Sequence, residues 1–240
     1  MRNVLAIVRR EVNAFFFSFL GYIVVFVFVG LTGFFFHNVL WRSEDAGITA
    51  QVMFGVVSYT MMLIAPLITM RLIAEEVRTG TIETIMTAPI TDTELVLGKF
   101  FGALIFYIVI LLPTLVHVGL LTWLGKPDLA PILSGYLGLL LMGGLFLSIG
   151  LLCSSLTRNQ IVAAVVGIVV LLLLFVIGAL AEWRSGWVYD LMRYLGFMSH
   201  QESFARGIID TRDLVYYLSL TAFFLFLSVK AVESRKWRAA

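Results

Sequence analysis

This chain is short of charge. Asp, Glu, Lys and Arg make up 13% of its 240 residues, while hydrophobic residues make up 60%. Soluble globular domains run nearer a quarter charged and half apolar, so no soluble domain of useful size is expected. Cysteine is rarer still: Cys153 stands alone, cannot form an internal disulfide, and reads as a small buried hydrophobe. His37, His117 and His200 lie far apart, and no His or Cys pair has the spacing of metal ligands. GxxxxGK[ST] is missing, so no phosphate-cradling loop of that kind is present. GxSxG and HExxH are missing too, which argues against an intramembrane hydrolase. The net charge of +2 is spread over scattered basic residues, which supports no nucleic-acid partner. No chain of acids within the apolar runs suggests an ion-driven carrier. The chain is therefore expected to be no enzyme and to hold no metal or cofactor of its own.

What it does have is long apolar runs. Six read as membrane crossings: 15–36, 52–73, 100–124, 132–152, 161–180 and 214–232. Each is close to the roughly 20 residues a helix needs to cross about 30 Å of hydrocarbon. Helices are required because lipid cannot satisfy open backbone groups, and the alternation of a barrel strand is absent. The first run is too long and aromatic for a cleaved leader, and no small-residue cleavage site follows it. The expected fold is one all-α membrane domain over 1–240. With both termini inside, eleven Lys and Arg fall on the cytoplasmic side and six outside, the favoured sense of the positive-inside rule.

Outside the crossings, residues 1–14 carry Val4, Leu5, Val8 and Val12 on one helical face, with Arg2, Arg9 and Arg10 elsewhere. That pattern suits a helix lying in the inner interface. The polar stretch 75–89 combines Glu75, Glu76, Arg78 and Glu83 with a stripe of Ile82, Ile85 and Met86 at helical spacing. Gly80 and Thr81 offer a break and a start, and Pro89 a stop. Residues 91–94, Thr-Asp-Thr-Glu, form a capping-box pattern opening the helix into the third crossing. The stretch reads either as a docking element for a soluble partner or as a solvated connector. The turn 154–160, with Arg158 and Asn159, is a second possible touch point or a plain turn. Lys99 lies close enough to the inner surface to snorkel.

The external segment 182–213 reads as two short helices, re-entrant or at headgroup level. The first holds Trp187, Leu191 and Tyr194; the second is opened by a Ser199–Glu202 capping-box pattern and stopped at Gly207. His117 and His200 are the residues an intramembrane enzyme would have to use.

Glu75-Glu76-x-x-x-Gly80-Thr81-Ile82-Glu83, followed by Pro89, resembles permeases of the ABC-2 type exporter family. Leu156-Thr157-Arg158-Asn159-Gln160 is similar to that family's loop between helices four and five. Phe204-x-x-Gly207-x-Ile209-Asp210-x-x-Asp213 is similar to the subgroup of gliding-motility and nitrous-oxide-reductase-maturation permeases. The resemblance implies a half-transporter in the cell (inner) membrane that pairs with a second permease subunit, identical or different. Two separate cytoplasmic ABC ATPase subunits would hold ATP and Mg. It implies that Glu75, Glu76, Arg78, Gly80, Thr81, Ile82, Glu83, Ile85 and Met86 form the coupling helix, with Arg158 and Asn159 beside it. A membrane scaffold that recruits an ATPase without moving cargo shares these features.

Overall fold

The computed structural model describes residues 2–41, 46–82, 90–125, 127–181 and 186–239. Among them there is no strand, only helices. In chain order these are α1 (Arg2–Phe16), α2 (Phe19–Leu40), α3 (Ala46–Thr69), α4 (Ala74–Thr79), α5 (Asp92–Leu111) and α6 (Thr114–Leu124). They continue with α7 (Leu129–Leu156), α8 (Gln160–Ala181), α9 (Trp187–Leu195), α10 (Phe197–Ala205) and α11 (Thr211–Ala239). Among the described residues six segments are long and apolar enough to cross a membrane: Phe19–Leu40, Gly47–Thr79, Asp92–Leu124, Leu129–Leu156, Gln160–Ala181 and Thr211–Arg235. The chain is a multi-span membrane protein.

α7 is the centre. It packs on α3, α5, α8, α10 and α11, and its glycines receive side chains from its neighbours. A Cβ on Gly143 would lie 2.2 Å from the Tyr107 ring, one on Gly150 2.0 Å from the Thr69 hydroxyl, and one on Gly135 2.5 Å from Phe54. With little hydrophobic drive between helices in lipid, such close backbone approach and dispersion contact hold the bundle. Buried hydroxyls bond across it: Tyr107 donates to the Leu139 carbonyl at 2.7 Å, and Ser134 to that of Phe204 at 2.7 Å.

The first crossing starts at Phe19, later than hydropathy suggests, because Phe15 and Phe16 belong to α1. Arg71 makes the joint between α1 and α2. Its guanidinium donates to Ser18 Oγ at 2.7 Å and to the Ala14 carbonyl at 3.1 Å, and it lies 4.5 Å over the Phe15 ring. Pro113 divides the third crossing into α5 and α6, since proline cannot donate to the helical ladder. Pro66 sits inside α3, which ends one turn later at Thr69.

At the far end of the bundle, α9 lies on α8, where Gly178 and Gly196 bring two backbones together; a Cβ on either would fall under 3 Å from the other's Cα. α9 has no buried residue, whereas α10 buries Phe197, His200, Gln201 and Phe204. Helix α10 begins at Phe197, so the expected Ser199–Glu202 capping box is not formed. Gly196 is the N-cap, and Ser199, already in the first turn, donates its hydroxyl to the Arg193 and Gly196 carbonyls at 3.1 Å each.

Candidate functional site: the elbow between the second and third crossings

The elbow starts where α3 stops. Residues 70–73 form a turn, α4 follows, and Gly80 ends it in the left-handed region at φ +74. A side chain there would be strained, so glycine suits the C-terminal stop. Ser154, fully buried near the end of α7, fastens the turn. Its hydroxyl accepts the N–H groups of Ile73 at 3.1 Å and Ala74 at 3.0 Å, and donates to the Met70 carbonyl at 3.0 Å. On the other side, Thr91 and Glu94 form the expected capping box at the start of α5.

Four charged side chains gather behind α4. Glu76 Oε1 lies 2.6 Å from Arg10 and 2.8 Å from Lys99 Nζ. Glu11 Oε1 lies 2.7 Å from Arg10 and 3.0 Å from Lys99. Two acids and two bases from α1, α4 and α5 thus form a closed ring of pairs. Lys99 is 1% exposed; it does not snorkel, because both carboxylates reach it inside the protein. Gly98 and Gly102 make this possible. A Cβ on Gly98 would meet Ile7 at 2.7 Å, and one on Gly102 would meet Glu11 Cβ at 2.6 Å. These gaps let α1 lie directly against α5, with Phe15 stacked on Phe106 at 4.5 Å.

The electrostatics follow from this burial. Desolvation alone would raise the Glu11 carboxyl, but the charge of Lys99 and the hydrogen bonds from Arg10 and Lys99 outweigh it and hold Glu11 below its ordinary range. Burial opposes the Arg10 charge, yet the neighbouring Glu11 and Glu76 raise it further. Glu76 Oε2 is buried with no hydrogen-bond partner among the described residues. Removing one member of such a cluster is severe, because an uncompensated buried charge remains.

The residues read as coupling elements divide into three groups. Arg78, Gly80 and Thr81 are exposed, with Glu75 half-buried. Glu76 points into the charged ring, and Ile82 is buried in the core. Glu83, Ile85 and Met86 lie outside the described residues. In the second loop Arg158 and Asn159 are exposed. Asn159 caps α8, its Oδ1 accepting the Ile161 N–H at 2.9 Å. α4 packs against both α7 and α8, so elbow and loop are neighbours. Arg235 of α11 fastens the start of that loop, donating to the Ser155 carbonyl at 2.5 Å and to that of Thr157 at 3.3 Å.

Glu11, Lys99, Ser154 and Arg235 were not singled out from sequence as parts of this junction. One signal was available for Glu11, which shares a helical face with Ile7, Val8 and Phe15. An acid on an apolar stripe needs a buried partner.

The two histidines stack on neighbouring rings. His200 sets Nδ1 2.6 Å from Asp213 and Nε2 2.9 Å from the Tyr194 carbonyl, and stacks on Tyr216 at 4.0 Å. His117 stacks on Phe36 at 4.4 Å. Among the described residues no group of three His, Cys, Asp or Glu could hold a metal ion.

Residues 41–189 match the ABC-2 family transporter proteins. The match takes in the elbow, the 156–160 loop and four of the crossings, well over half of the chain. The chain belongs to this family of membrane components of ABC transporters. No curated protein matches it.

Proposed function

We propose that this chain is the membrane half of an ATP-driven exporter, with both termini and the elbow on the cytoplasmic side of the cell (inner) membrane. It pairs with a second permease chain, identical or different, and two separate ATPase subunits hold the ATP and magnesium. The chain performs no bond chemistry. Half-buried Glu75 and exposed Arg78, Gly80 and Thr81 form the docking surface together with residues 83–88 and with Arg158 and Asn159. The motif at 204–213 favours the subgroup of gliding-motility and nitrous-oxide-reductase-maturation permeases.

The observation that carries this reading is the fastening of α4 at its start and along its inner face. Ser154 holds its start, Lys99 and Arg10 hold Glu76, and α5 begins at a formed cap. A push on an element held this way moves α1, α3, α5 and α7 together, because packed helices and buried ion pairs do not yield locally. Closure of the ATPase pair thus becomes rocking of one bundle against its mate.

Because Glu76 is engaged inside the chain, docking is tested at its exposed neighbours. Arg78→Glu combined with Arg158→Glu should abolish co-purification of the ATPase subunits and the rise in their ATP hydrolysis, with normal membrane insertion. Undiminished co-purification would remove the docking role. Orientation has its own test: in a Cys153→Ala background, Thr81→Cys should resist a membrane-impermeant maleimide in sealed right-side-out cells. Ready labelling from outside would overturn the scheme.

A further inference from the structure

We infer that His200 and Asp213 form a proton-operated latch on the hairpin of α9 and α10. A proton held by the pair locks the end of α9 onto α10 and α11, and its loss frees that end.

The latch acts on a helix with no anchor of its own. α9 has no buried residue, whereas α10 sets Phe197 and Phe204 in the core. What fixes α9 is its last turn, whose carbonyls would otherwise be left open at a helix C-terminus. The Arg193 carbonyl accepts from the Ser199 hydroxyl at 3.1 Å, and that of Leu195 from the Tyr216 hydroxyl at 2.7 Å. The Tyr194 carbonyl between them faces His200 Nε2 at 2.9 Å.

The His200 ring therefore stands between two acceptors, since its Nδ1 lies 2.6 Å from Asp213 Oδ1. A neutral imidazole has one N–H and one lone pair, so it can serve only one of them. The other contact then sets a lone pair against an oxygen. The imidazolium carries two N–H groups and serves both. A cation at this place also meets the carbonyl end of α9, where positive charge is favoured.

The surroundings leave the task to this pair alone. His200 and Asp213 are each 6% exposed. Asp213 Oδ2 has no hydrogen-bond partner, and among the described residues His200 is the one ionic partner of Asp213. Helices α3, α7 and α8 pack on α10 and contain no Asp, Glu, Lys or Arg. On α9, Asp190 and Arg193 pair with each other, and Glu202 of α10 pairs with Arg206; Arg212 is exposed. Three phenols surround the ring: Tyr216 stacks on it, with Tyr194 and Tyr217 edge-on. Tyr217 gives its proton to the Phe197 carbonyl. When His200 loses its charge, Asp213 becomes a buried anion without a counter-charge, a costly state. The remaining ring proton stays with the carboxylate, the stronger acceptor, and the Tyr194 carbonyl loses its donor.

Imidazole changes charge between about pH 5 and 8. The hairpin is thus locked in acid and released as pH rises. In the orientation proposed above it faces the outer medium, so the latch reads the proton concentration outside the cell.

The test uses the full chain in detergent micelles, titrated over the same range of about pH 5 to 8. One sample carries ring-labelled histidine, and nuclear resonance follows the protonation of His200, whose signal is the one lost in His200→Gln. A second carries a nitroxide at Trp187→Cys in a Cys153→Ala background, and spin resonance follows the mobility of α9. The mobile fraction of the nitroxide should grow severalfold as pH rises, with the midpoint of the His200 titration. In the nitroxide sample His200→Gln should abolish the response, and Asp213→Asn should move it to lower pH. A His200 ring that stays in one state throughout, or that titrates while the nitroxide does not respond, overturns the latch. So does an unchanged response in His200→Gln. The coincidence of the two midpoints is read with His200 and Asp213 both in place, so it decides even where their variants fail to fold. ATPase subunits are absent from both samples, so failure here leaves the transporter reading standing.

Discussion

Lys99 Nζ lies 2.8 Å from Glu76 Oε1, and that contact ties the start of α5 to the elbow helix α4. With Glu11 3.0 Å from the same ammonium, one lysine of α5 joins both α4 and the N-terminal helix α1. The elbow is thus an internal joint that also has an outer, exposed surface, and each aspect can be perturbed separately.

Lys99→Met should destabilise the chain by about 3–5 kcal/mol, because Glu11 and Glu76 would then share Arg10 alone in a buried setting. Adding Glu76→Met should recover a large part, since it restores neutrality, and a double-mutant cycle measures the coupling. Cys153 is buried, so its reaction with a fluorogenic maleimide on heating in detergent reports the unfolding midpoint. Equal midpoints for the single variant and the wild type would refute the ring of pairs as a source of stability.

Acid should weaken the same joint. The Glu11 value in the fold lies below the ordinary 4.5, so the folded state binds this proton less readily than the unfolded chain. The stabilisation is therefore complete above 4.5 and is lost as pH falls through the depressed folded value. Glu11→Gln removes the titration. The gap between the wild-type and Glu11→Gln midpoints, measured by the same maleimide assay, should be constant at neutral pH and narrow below 4.5. A gap that widens on acidification contradicts the sign.

Ser154→Ala deletes the hydroxyl that accepts two elbow N–H groups and costs about 1–3 kcal/mol, the penalty of leaving buried donors unpaired. The effect should be local: faster hydrogen exchange over residues 70–79 and weaker stimulation of the proposed ATPase subunits, with exchange in α7 unchanged. Uniformly faster exchange across the bundle would argue for a general packing role instead.

Adjacent glycines of α7 should respond oppositely to alanine. At Gly143 the new methyl would meet the Tyr107 ring at 2.2 Å, whereas at Gly144 the nearest atoms are 3.9 Å away. Gly143→Ala should lose about 1–3 kcal/mol by overpacking. Gly144→Ala should be neutral or gain up to about 1 kcal/mol, the helix-propensity advantage of alanine over glycine. Thermal midpoints of the two single variants decide it.

Local features were legible before any tertiary structure. The box of Thr91 and Glu94 depends on four consecutive residues and formed as its pattern implied. Ser199 and Glu202 have the same spacing but form no box, because Gly196, pressed against Gly178, starts α10 three residues earlier than that pattern allows. Lys99 looked like a snorkelling cation because its partner Glu11 stands 88 positions away in sequence. Glu76 reads from sequence as an acid of the docking element, and its ion pair with Arg10, 66 positions away, was not visible there.

The sequence by itself determined the class of protein: six apolar segments of membrane-crossing length, almost no charge within them, and polar turns at their ends. Length and transfer energy are summed along the chain and need no knowledge of neighbours. Only the tertiary structure decided which polar groups face outward and which hold the helices together. A buried charge is tolerable only when an opposite one meets it in space, and that meeting depends on how α1, α4 and α5 pack.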